Sequence, residues 1–284
     1  MIPEREDARQ IGEAGRASLD AEHLERALAA LRARPSGIFV DVDGTLSPIV
    51  SIPEEAQVLP ASRRALRDLA SLTDLVVIVS GRRVVDARRM VGLDDIVYFG
   101  NHGLEKWDPA EGYQSRAGQY RTRVLRALAV LERRLASLPG VRLENKDTVV
   151  SIHYRLAADP AEARREILRT AAQIADESAL TVTEGKKVVE LRPPLSIDKG
   201  TTLETAVREN RLRGVLCLGD DLTDVSAFRA LRRLREQGAV EGLAIGVGGK
   251  ETPAELSEMA DALLDGPREV ATFLQQLARA LERR

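Results

Sequence analysis

A recurring pattern, in which a short apolar run ends at polar or acidic residues, constrains the fold more than any other feature. The runs cover residues 37–40, 75–79, 96–99, 215–218 and 243–247. Such near-continuous apolar runs are typical of parallel strands buried on both faces. Helical patterns lie between them, at 61–70, 84–90, 199–208 and 222–236. We therefore predict an α/β fold with a doubly wound, mainly parallel, Rossmann-like core.

The pattern changes between the third and fourth runs. Residues 112–194 alternate helical and strand-like stretches in the order αββαββ, which predicts a small inserted α+β domain that acts as a lid. The core is then predicted to comprise residues 36–111 and 195–284. Residues 1–35 are rich in Ala, Leu, Arg and Glu up to the Pro35-Ser36-Gly37 stop, and they predict an N-terminal helical extension.

Composition excludes several classes of function. A net charge of -2 and only 3% aromatic residues argue against nucleic-acid binding, which uses basic surfaces and stacking rings. The charged N-terminus lacks a secretory signal pattern and no window reaches about 20 apolar residues, so we predict no membrane partner and a cytoplasmic location. The single cysteine, Cys217, lies in an apolar run and is predicted to be a buried core residue.

Two carboxylates follow the first run, in the segment Asp41-Val42-Asp43-Gly44-Thr45. Beyond a buried strand, this spacing suits phosphoryl transfer: Asp41 attacks phosphorus, while Asp43 protonates the leaving oxygen and then activates water. Gly44 permits the tight turn between them. The structural alternative is an Asx-rich turn that closes the strand.

A second acidic segment, Gly219-Asp220-Asp221-Leu222-Thr223-Asp224, follows the fourth run. Clustered carboxylates repel one another without a cation, and carboxylate oxygens suit Mg²⁺. We predict Asp41, Asp43 and Asp220 as metal ligands, with Asp221 and Asp224 positioning water or Lys199. The alternative is that Asp221 and Asp224 cap the following helix.

Two further segments predict anion binding. Lys199 begins a predicted helix, where a cation is disfavoured by the helix dipole unless it serves an anion, so we assign it to catalysis and phosphate binding. Ser80 and Gly81 follow a strand and precede a helix, where a hydroxyl and backbone N–H groups can cradle phosphate. Taken alone, a Ser-Gly turn at the start of a helix is usually a cap.

In chain order, the motifs Asp-x-Asp-Gly-Thr, Ser-Gly-Arg, a helix-initial Lys and Gly-Asp-Asp resemble the haloacid dehalogenase superfamily. Within it, segments 100–105, 144–146, 153–155, 187–193 and 219–224 resemble the trehalose-6-phosphate phosphatases. The resemblance runs from about Ile38 to the end of the sequence. One departure is Val225, where the family usually has Glu.

The resemblance implies Mg²⁺, an aspartyl-phosphate intermediate and a lid whose residues bind sugar hydroxyls. It implies substrate-binding roles for Asn101, His102, Glu144, Lys146, Arg155 and Glu190. For any one lid residue, the alternative is an ordinary charged sheet face. A site that hydrogen-bonds buried hydroxyls strongly rejects analogues that lack them, which agrees with sugar recognition.

The predicted reaction is hydrolysis of trehalose 6-phosphate to trehalose and phosphate, in trehalose biosynthesis. The alternatives are a phosphatase of another sugar phosphate, such as sucrose phosphate or a glucosyl- or mannosyl-3-phosphoglycerate, and a catalytically silent regulatory partner of a sugar synthase. The predicted partner is a small sugar phosphate, with functional coupling to a sugar-phosphate synthase. The sequence carries no prediction of oligomeric state.

Overall fold

The computed structural model describes residues 21–50, 52–185, 187–248 and 252–283. Helix α1 (Ala21–Arg32) is the part of the predicted N-terminal extension that falls within this range. The prediction for residues 1–20 lies outside the described residues. Helix α1 packs beside the central sheet, and the close approach leaves no room at Gly214, where a Cβ atom would lie 1.7 Å from the Ala30 carbonyl oxygen.

Within the described residues, the larger sheet has eight strands and is mainly parallel. Across the sheet its strands are β12 (Ala262–Leu264), β11 (Glu241–Val247), β10 (Gly214–Gly219), β1 (Ser36–Val40), β2 (Leu75–Val79), β3 (Val97–Gly100), β4 (Glu105–Asp108) and β5 (Gly112–Ser115). Neighbours from β12 to β3 are parallel, whereas β3, β4 and β5 pair antiparallel. The predicted doubly wound, mainly parallel sheet is confirmed.

Helices cover both faces of this sheet because its strands are apolar on both sides. The helices around it are α2 (Pro60–Leu72), α3 (Val84–Val91), α6 (Lys199–Glu209), α7 (Leu222–Glu236), α8 (Ala254–Met259) and α9 (Gly266–Glu282). In β1, Ile38 and Val40 pack with α2 and α9, whereas Phe39 packs with α6 and α7. Cys217 is buried in the second of these clusters, as predicted.

The smaller sheet has four antiparallel strands, in the order β6 (Arg142–Asn145), β7 (Val150–His153), β9 (Val188–Arg192) and β8 (Thr181–Gly185). Helices α4 (Arg121–Arg134) and α5 (Pro160–Ser178) pack on one face. Strand β7 shows why: Val150 and Ile152 point into that apolar cluster, and the alternate residues Ser151 and His153 lie on the other face.

These elements match the αββαββ order expected for the inserted block. Strand β5 belongs to the larger sheet although it lies beyond residue 111, and the limits of the two domains stay a prediction. A small apolar cluster marks where the chain passes between the sheets, formed by Leu104, Ala117, Val149, Leu195 and Ile197. Among the described residues, no helix combines the length and apolarity needed to cross a membrane.

Candidate active site

The carboxyl ends of the parallel strands bring the first acidic segment and Lys199 together. Asp41 directly follows β1, and its backbone N–H donates to the Leu218 carbonyl of the neighbouring strand. Lys199 is the first residue of α6, and its Nζ donates to Asp41 Oδ1 and to Asp224 Oδ1, each at 2.7 Å. All three side chains are buried, so this ammonium group holds two carboxylates at the end of the sheet.

Asp220, Asp221 and Asp224 have different tasks. Asp221 caps α7 by accepting from the Leu222 backbone N–H, and Asp224 Oδ2 accepts from the backbone N–H groups of Asp220 and Asp221. The capping alternative therefore describes both Asp221 and Asp224. Asp224 also accepts from Lys199 Nζ through its other oxygen, and its role in positioning Lys199 stays a prediction.

Three buried carboxylates, those of Asp41, Asp220 and Asp224, can place their oxygens within 4.8 Å of one another. Burial raises the pKa of Asp41 to about 7, although the ammonium group of Lys199 acts to lower it. Burial and the neighbouring charge of Asp41 raise the pKa of Asp220 to about 9. Asp220 Oδ1 is buried without a hydrogen-bond partner. The cluster thus has excess negative charge, hard oxygen donors and one Asp220 oxygen without a partner. These properties fit a site for a divalent cation.

Asp43 was predicted as a third ligand, but its carboxylate lies outside this cluster. Instead, Arg82 Nε and Nη2 donate to its two oxygens, each at 2.7 Å. Such a bidentate pair fixes geometry as well as charge. Sequence reasoning quoted Arg82 within the Ser-Gly-Arg motif and gave it no role. Nothing in the sequence around Arg82 indicated that its side chain would bind Asp43, which lies 39 residues earlier in the chain.

The predicted phosphate segment is only partly exposed to the cavity. Gly81 lines the cavity, whereas Ser80 is buried and its Oγ accepts from the Arg82 backbone N–H at 3.2 Å. A Cβ atom at Gly81 would lie 2.7 Å from the His102 ring, so a larger residue here would have to displace that ring. The hydroxyl of Ser80 thus acts within the turn and does not cap α3, whose N-cap residue is Arg83.

A cavity of about 490 Å³ extends from the Asp41 end of the large sheet to the face of the small sheet that carries no helices. The predicted site residues that line it are Asp41, Asp43, Gly81, His102, Glu144, Lys146, Arg155, Glu190, Lys199, Asp220 and Asp221. Asn101 does not line it, because its side chain is buried and is bonded within the protein. The cavity size and its polar walls suit a small polar ligand.

Strand register places a row of polar residues in the cavity wall of the small sheet. Glu144 lies opposite Ser151 on β7, and Ser151 lies opposite Glu190 on β9. The Ser151 hydroxyl donates to Glu190 Oε1 at 2.5 Å, and Lys146 Nζ donates to the same oxygen at 3.0 Å. Burial acts to raise the pKa of Glu190, but the ammonium group of Lys146 outweighs burial and lowers that pKa to about 2. Glu190 is therefore a buried, fixed carboxylate.

Two histidines complete this wall. His153 Nε2 lies 2.8 Å from Glu144 Oε2, and this contact, against burial, lowers the pKa of Glu144. His102 Nε2 lies 3.8 Å from Glu190 Oε2, while burial lowers the pKa of His102 to about 3. His102 is thus neutral at neutral pH. Ser151 and His153 were not predicted as site residues, although the alternation of β7 was a signal for their shared face.

Comparison with known proteins identifies similar chains. The family model for trehalose-phosphatase matches residues 39–260. The chain is 36% identical over 263 residues to the trehalose-phosphate phosphatase of Mycobacterium leprae (strain TN), covering 88% of this chain and 59% of that protein. It is also 36% identical over 260 residues to the trehalose-phosphate phosphatase of Mycobacterium avium (strain 104), covering 89% of this chain and 64% of that protein.

Among solved structures, the C-terminal domain of Candida albicans trehalose-6-phosphate phosphatase superimposes with a TM-score of 0.76 and 25% sequence identity. The match covers 94% of this chain and 99% of that domain. The chain therefore spans less than two thirds of the length of the two mycobacterial relatives but nearly all of one solved domain.

Proposed function

The chain belongs to the trehalose-phosphatase family, and we propose that it hydrolyses trehalose 6-phosphate to trehalose and inorganic phosphate. One arrangement carries the proposal. The Asp41 carboxylate lies at one end of the 490 Å³ cavity, and the carboxylates of Glu144 and Glu190 line the wall contributed by the other sheet. A nucleophile and hydroxyl acceptors thus share one space, which a phosphorylated sugar can occupy.

In the proposed reaction, an oxygen of Asp41 attacks phosphorus and forms an acyl phosphate while the bond from phosphorus to the sugar oxygen breaks. Asp43 donates a proton to that leaving oxygen. Asp43 then accepts a proton from water, and the water oxygen attacks phosphorus, which releases phosphate and restores Asp41. Atoms and charges balance as ester plus water giving alcohol plus phosphate.

Arg82 adds a condition to this sequence. It binds both oxygens of Asp43, so Asp43 reaches the leaving oxygen only when this ion pair loosens. The phosphate of the substrate is an anion that competes with Asp43 for the guanidinium group. Substrate binding would therefore free the Asp43 carboxylate, which takes up a proton from a monoanionic phosphate ester or from water before it donates that proton to the leaving oxygen.

We assign the metal to Mg²⁺, held by Asp41 and Asp220, because the cluster presents hard oxygen donors with excess negative charge. When bound, Mg²⁺ offsets charge on the phosphoryl oxygens. Lys199 keeps Asp41 directed into the cavity through its 2.7 Å hydrogen bond. Gly81 and Lys199 line the end of the cavity where the phosphate would lie.

Sugar hydroxyls would be bound by the other wall. Glu144 and Glu190 accept hydrogen bonds from hydroxyls, Lys146 and Arg155 donate them, and neutral His102 can do either. Because the substrate is a sugar phosphate, the enzyme would act after the synthase that produces such a phosphate.

A phosphate-release assay with Mg²⁺ over a panel of sugar phosphates tests the proposal. We expect the highest kcat/KM with trehalose 6-phosphate, and loss of turnover in Asp41→Asn but not in Asp68→Asn, which changes an exposed residue of α2. Faster turnover of sucrose phosphate or a glycosyl-3-phosphoglycerate would overturn the substrate assignment. No turnover with any member would favour a silent regulatory partner.

A further inference from the structure

Glu105 is a buried carboxylate outside the cavity, and it joins two segments of the large sheet. Its Oε2 accepts from the backbone N–H of Val84, the first residue of α3, at 2.8 Å. Its Oε1 accepts from Asn101 Nδ2 at 2.9 Å. A buried charge is costly unless it is hydrogen-bonded, and here both oxygens have a donor. Glu105 thus ties the start of α3 to the turn after β3.

Asn101 extends this contact to the small sheet. The second hydrogen of its Nδ2 is donated to the backbone carbonyl of Lys146, at 3.2 Å. Asn101 has a φ of 48°, a left-handed conformation that Asn adopts more readily than most residues. Both amide hydrogens therefore bridge a carboxylate of one sheet and a backbone carbonyl beside the other.

The side chain of Lys146 returns to the large sheet. Its Nζ donates to the Gly81 carbonyl at 2.9 Å and to Glu190 Oε1 at 3.0 Å. Gly81 lies three residues before Val84, whose N–H is held by Glu105. Glu105, Asn101, Lys146 and the segment 81–84 thus form a closed circuit of hydrogen bonds, which we call the Glu105 circuit.

We propose that Asn101, held by Glu105, is a positioning residue that sets the place of Lys146, and through it Glu190, against the phosphate end of the cavity. This inference rests on the proposed function. Lys146 is the only member of the circuit whose side chain both lines the cavity and contacts Glu190, among the residues that the structure describes. The Asn101 side chain therefore affects binding of the sugar through Lys146 and Glu190, while Gly81 and Arg82 keep their own backbone and side-chain positions at the phosphate end of the cavity.

Asn101→Gly is the direct test, since Gly accepts the positive φ and only the amide is lost. With trehalose 6-phosphate we expect kcat/KM to fall about 10-fold, the size of one or two lost hydrogen bonds. With p-nitrophenyl phosphate, which has no sugar hydroxyls, we expect a change of less than about 2-fold, since its binding does not use the cavity wall of the small sheet.

A double-mutant cycle shows whether Asn101 acts through Lys146. In a Lys146→Met background, Asn101→Gly should change kcat/KM for trehalose 6-phosphate by less than about 2-fold, because the residue that it positions is already gone. Asn101→Asp provides a second variant of the same size, which places a carboxylate beside Glu105. It should lose sugar-phosphate activity at least as strongly as Asn101→Gly.

Matched controls are available elsewhere in the chain. Arg211→Gly replaces another left-handed residue, on an exposed turn, and Glu111→Gln changes an exposed carboxylate in the β4–β5 turn. Both should keep wild-type kinetics with both esters, and thermal midpoints verify that each variant is folded. Equal losses with both esters in folded Asn101→Gly or Asn101→Asp, or multiplicative effects in the cycle, would overturn the inference alone. A wild-type chain inactive with every ester would overturn the proposed function and this inference together.

Discussion

Lys199 Nζ lies 2.7 Å from Asp41 Oδ1, although 158 residues separate the two in the chain. The same ammonium group lies 2.7 Å from Asp224 Oδ1, and all three side chains are buried. Burial lowers the pKa of Lys199, but Asp224 and Asp41 outweigh it and raise that pKa above its ordinary value. Lys199 is therefore charged and holds Asp41, the proposed nucleophile, in place.

Replacing Lys199 by Met should abolish most activity and destabilise the fold. Removal of one partner leaves buried carboxylates uncompensated, which costs about 3 kcal/mol or more in the free energy of unfolding. Urea unfolding at pH 7 and phosphate release measure the two effects. Lys106→Met, which removes an ammonium from the β4–β5 hairpin, should have a much smaller effect on both. Equal stability of the Lys199→Met and wild-type chains would contradict the buried ion pairs.

Gly44 is predicted to be irreplaceable because of its neighbour. It has a φ of 86°, and a Cβ atom would lie 2.0 Å from Asp220 Oδ2. Gly44→Ala should displace Asp220 and lower both activity and the affinity for Mg²⁺, measured by calorimetry. Gly112→Ala is the matched control, since Gly112 has a φ of 76° with nothing within 4 Å of its Cβ position. It should lose only about 1 kcal/mol of stability through backbone strain and should keep Mg²⁺ affinity.

The Lys146–Glu190 pair predicts a pH-dependent contribution to stability. The depressed pKa of Glu190, about 2, means that its charged form stabilises the fold above its usual pKa of 4.5, and that this contribution disappears as pH falls towards 2. Lys146→Met should therefore cost about 3 kcal/mol at pH 7 and progressively less below pH 4.5. Urea unfolding at several pH values tests this. Lys187→Met, an exposed change in the turn between β8 and β9, should show no such trend, and a pH-independent loss in Lys146→Met would contradict the pairing.

His102 should also make the fold less stable in acid, but because burial disfavours its charged form rather than because an ion pair is lost. Burial lowers its pKa to about 3, so the folded protein keeps the ring neutral while the unfolded chain takes up a proton below pH 6.5. The wild type should lose about 2 kcal/mol of stability between pH 6.5 and 5 from this group. His102→Gln should lose that part of the pH dependence, measured by urea unfolding across this range. An unchanged profile in His102→Gln would disprove the assignment.

Val225 is the one departure from the family pattern, and it lies away from the cavity. The side chain is 2% exposed, packs in the apolar cluster under α6 and α7, and does not line the cavity. Val225→Glu should lower the free energy of unfolding by about 3 kcal/mol through an unpaired buried carboxylate. Val225→Ala, a cavity-forming change, should cost less. Higher stability of Val225→Glu would show that a hidden partner for the carboxylate exists.

Much of the site was predictable because the carboxyl ends of parallel strands lie at the same edge of the sheet. Asp41, Asp220 and Lys199 each follow or precede a recognisable strand or helix, and the sheet edge brings them together whatever the intervening chain does. The alternation of β7 similarly indicated which residues face away from α4 and α5. Local pattern was sufficient wherever an element's own period decides the direction of a side chain.

The sequence by itself thus determined the fold class, the order of elements and the strand-end location of the acidic residues, because hydrophobic periodicity is a local property of the chain. Only the tertiary structure decided which oxygen meets which donor. In the structure, Asp43 binds Arg82, and Asn101 binds Glu105 instead of lining the cavity. Asp224 lies in the carboxylate cluster with Asp41. These partners lie on separate elements. Because the packing of the whole core sets the register and contacts between elements, a short sequence motif does not predict them.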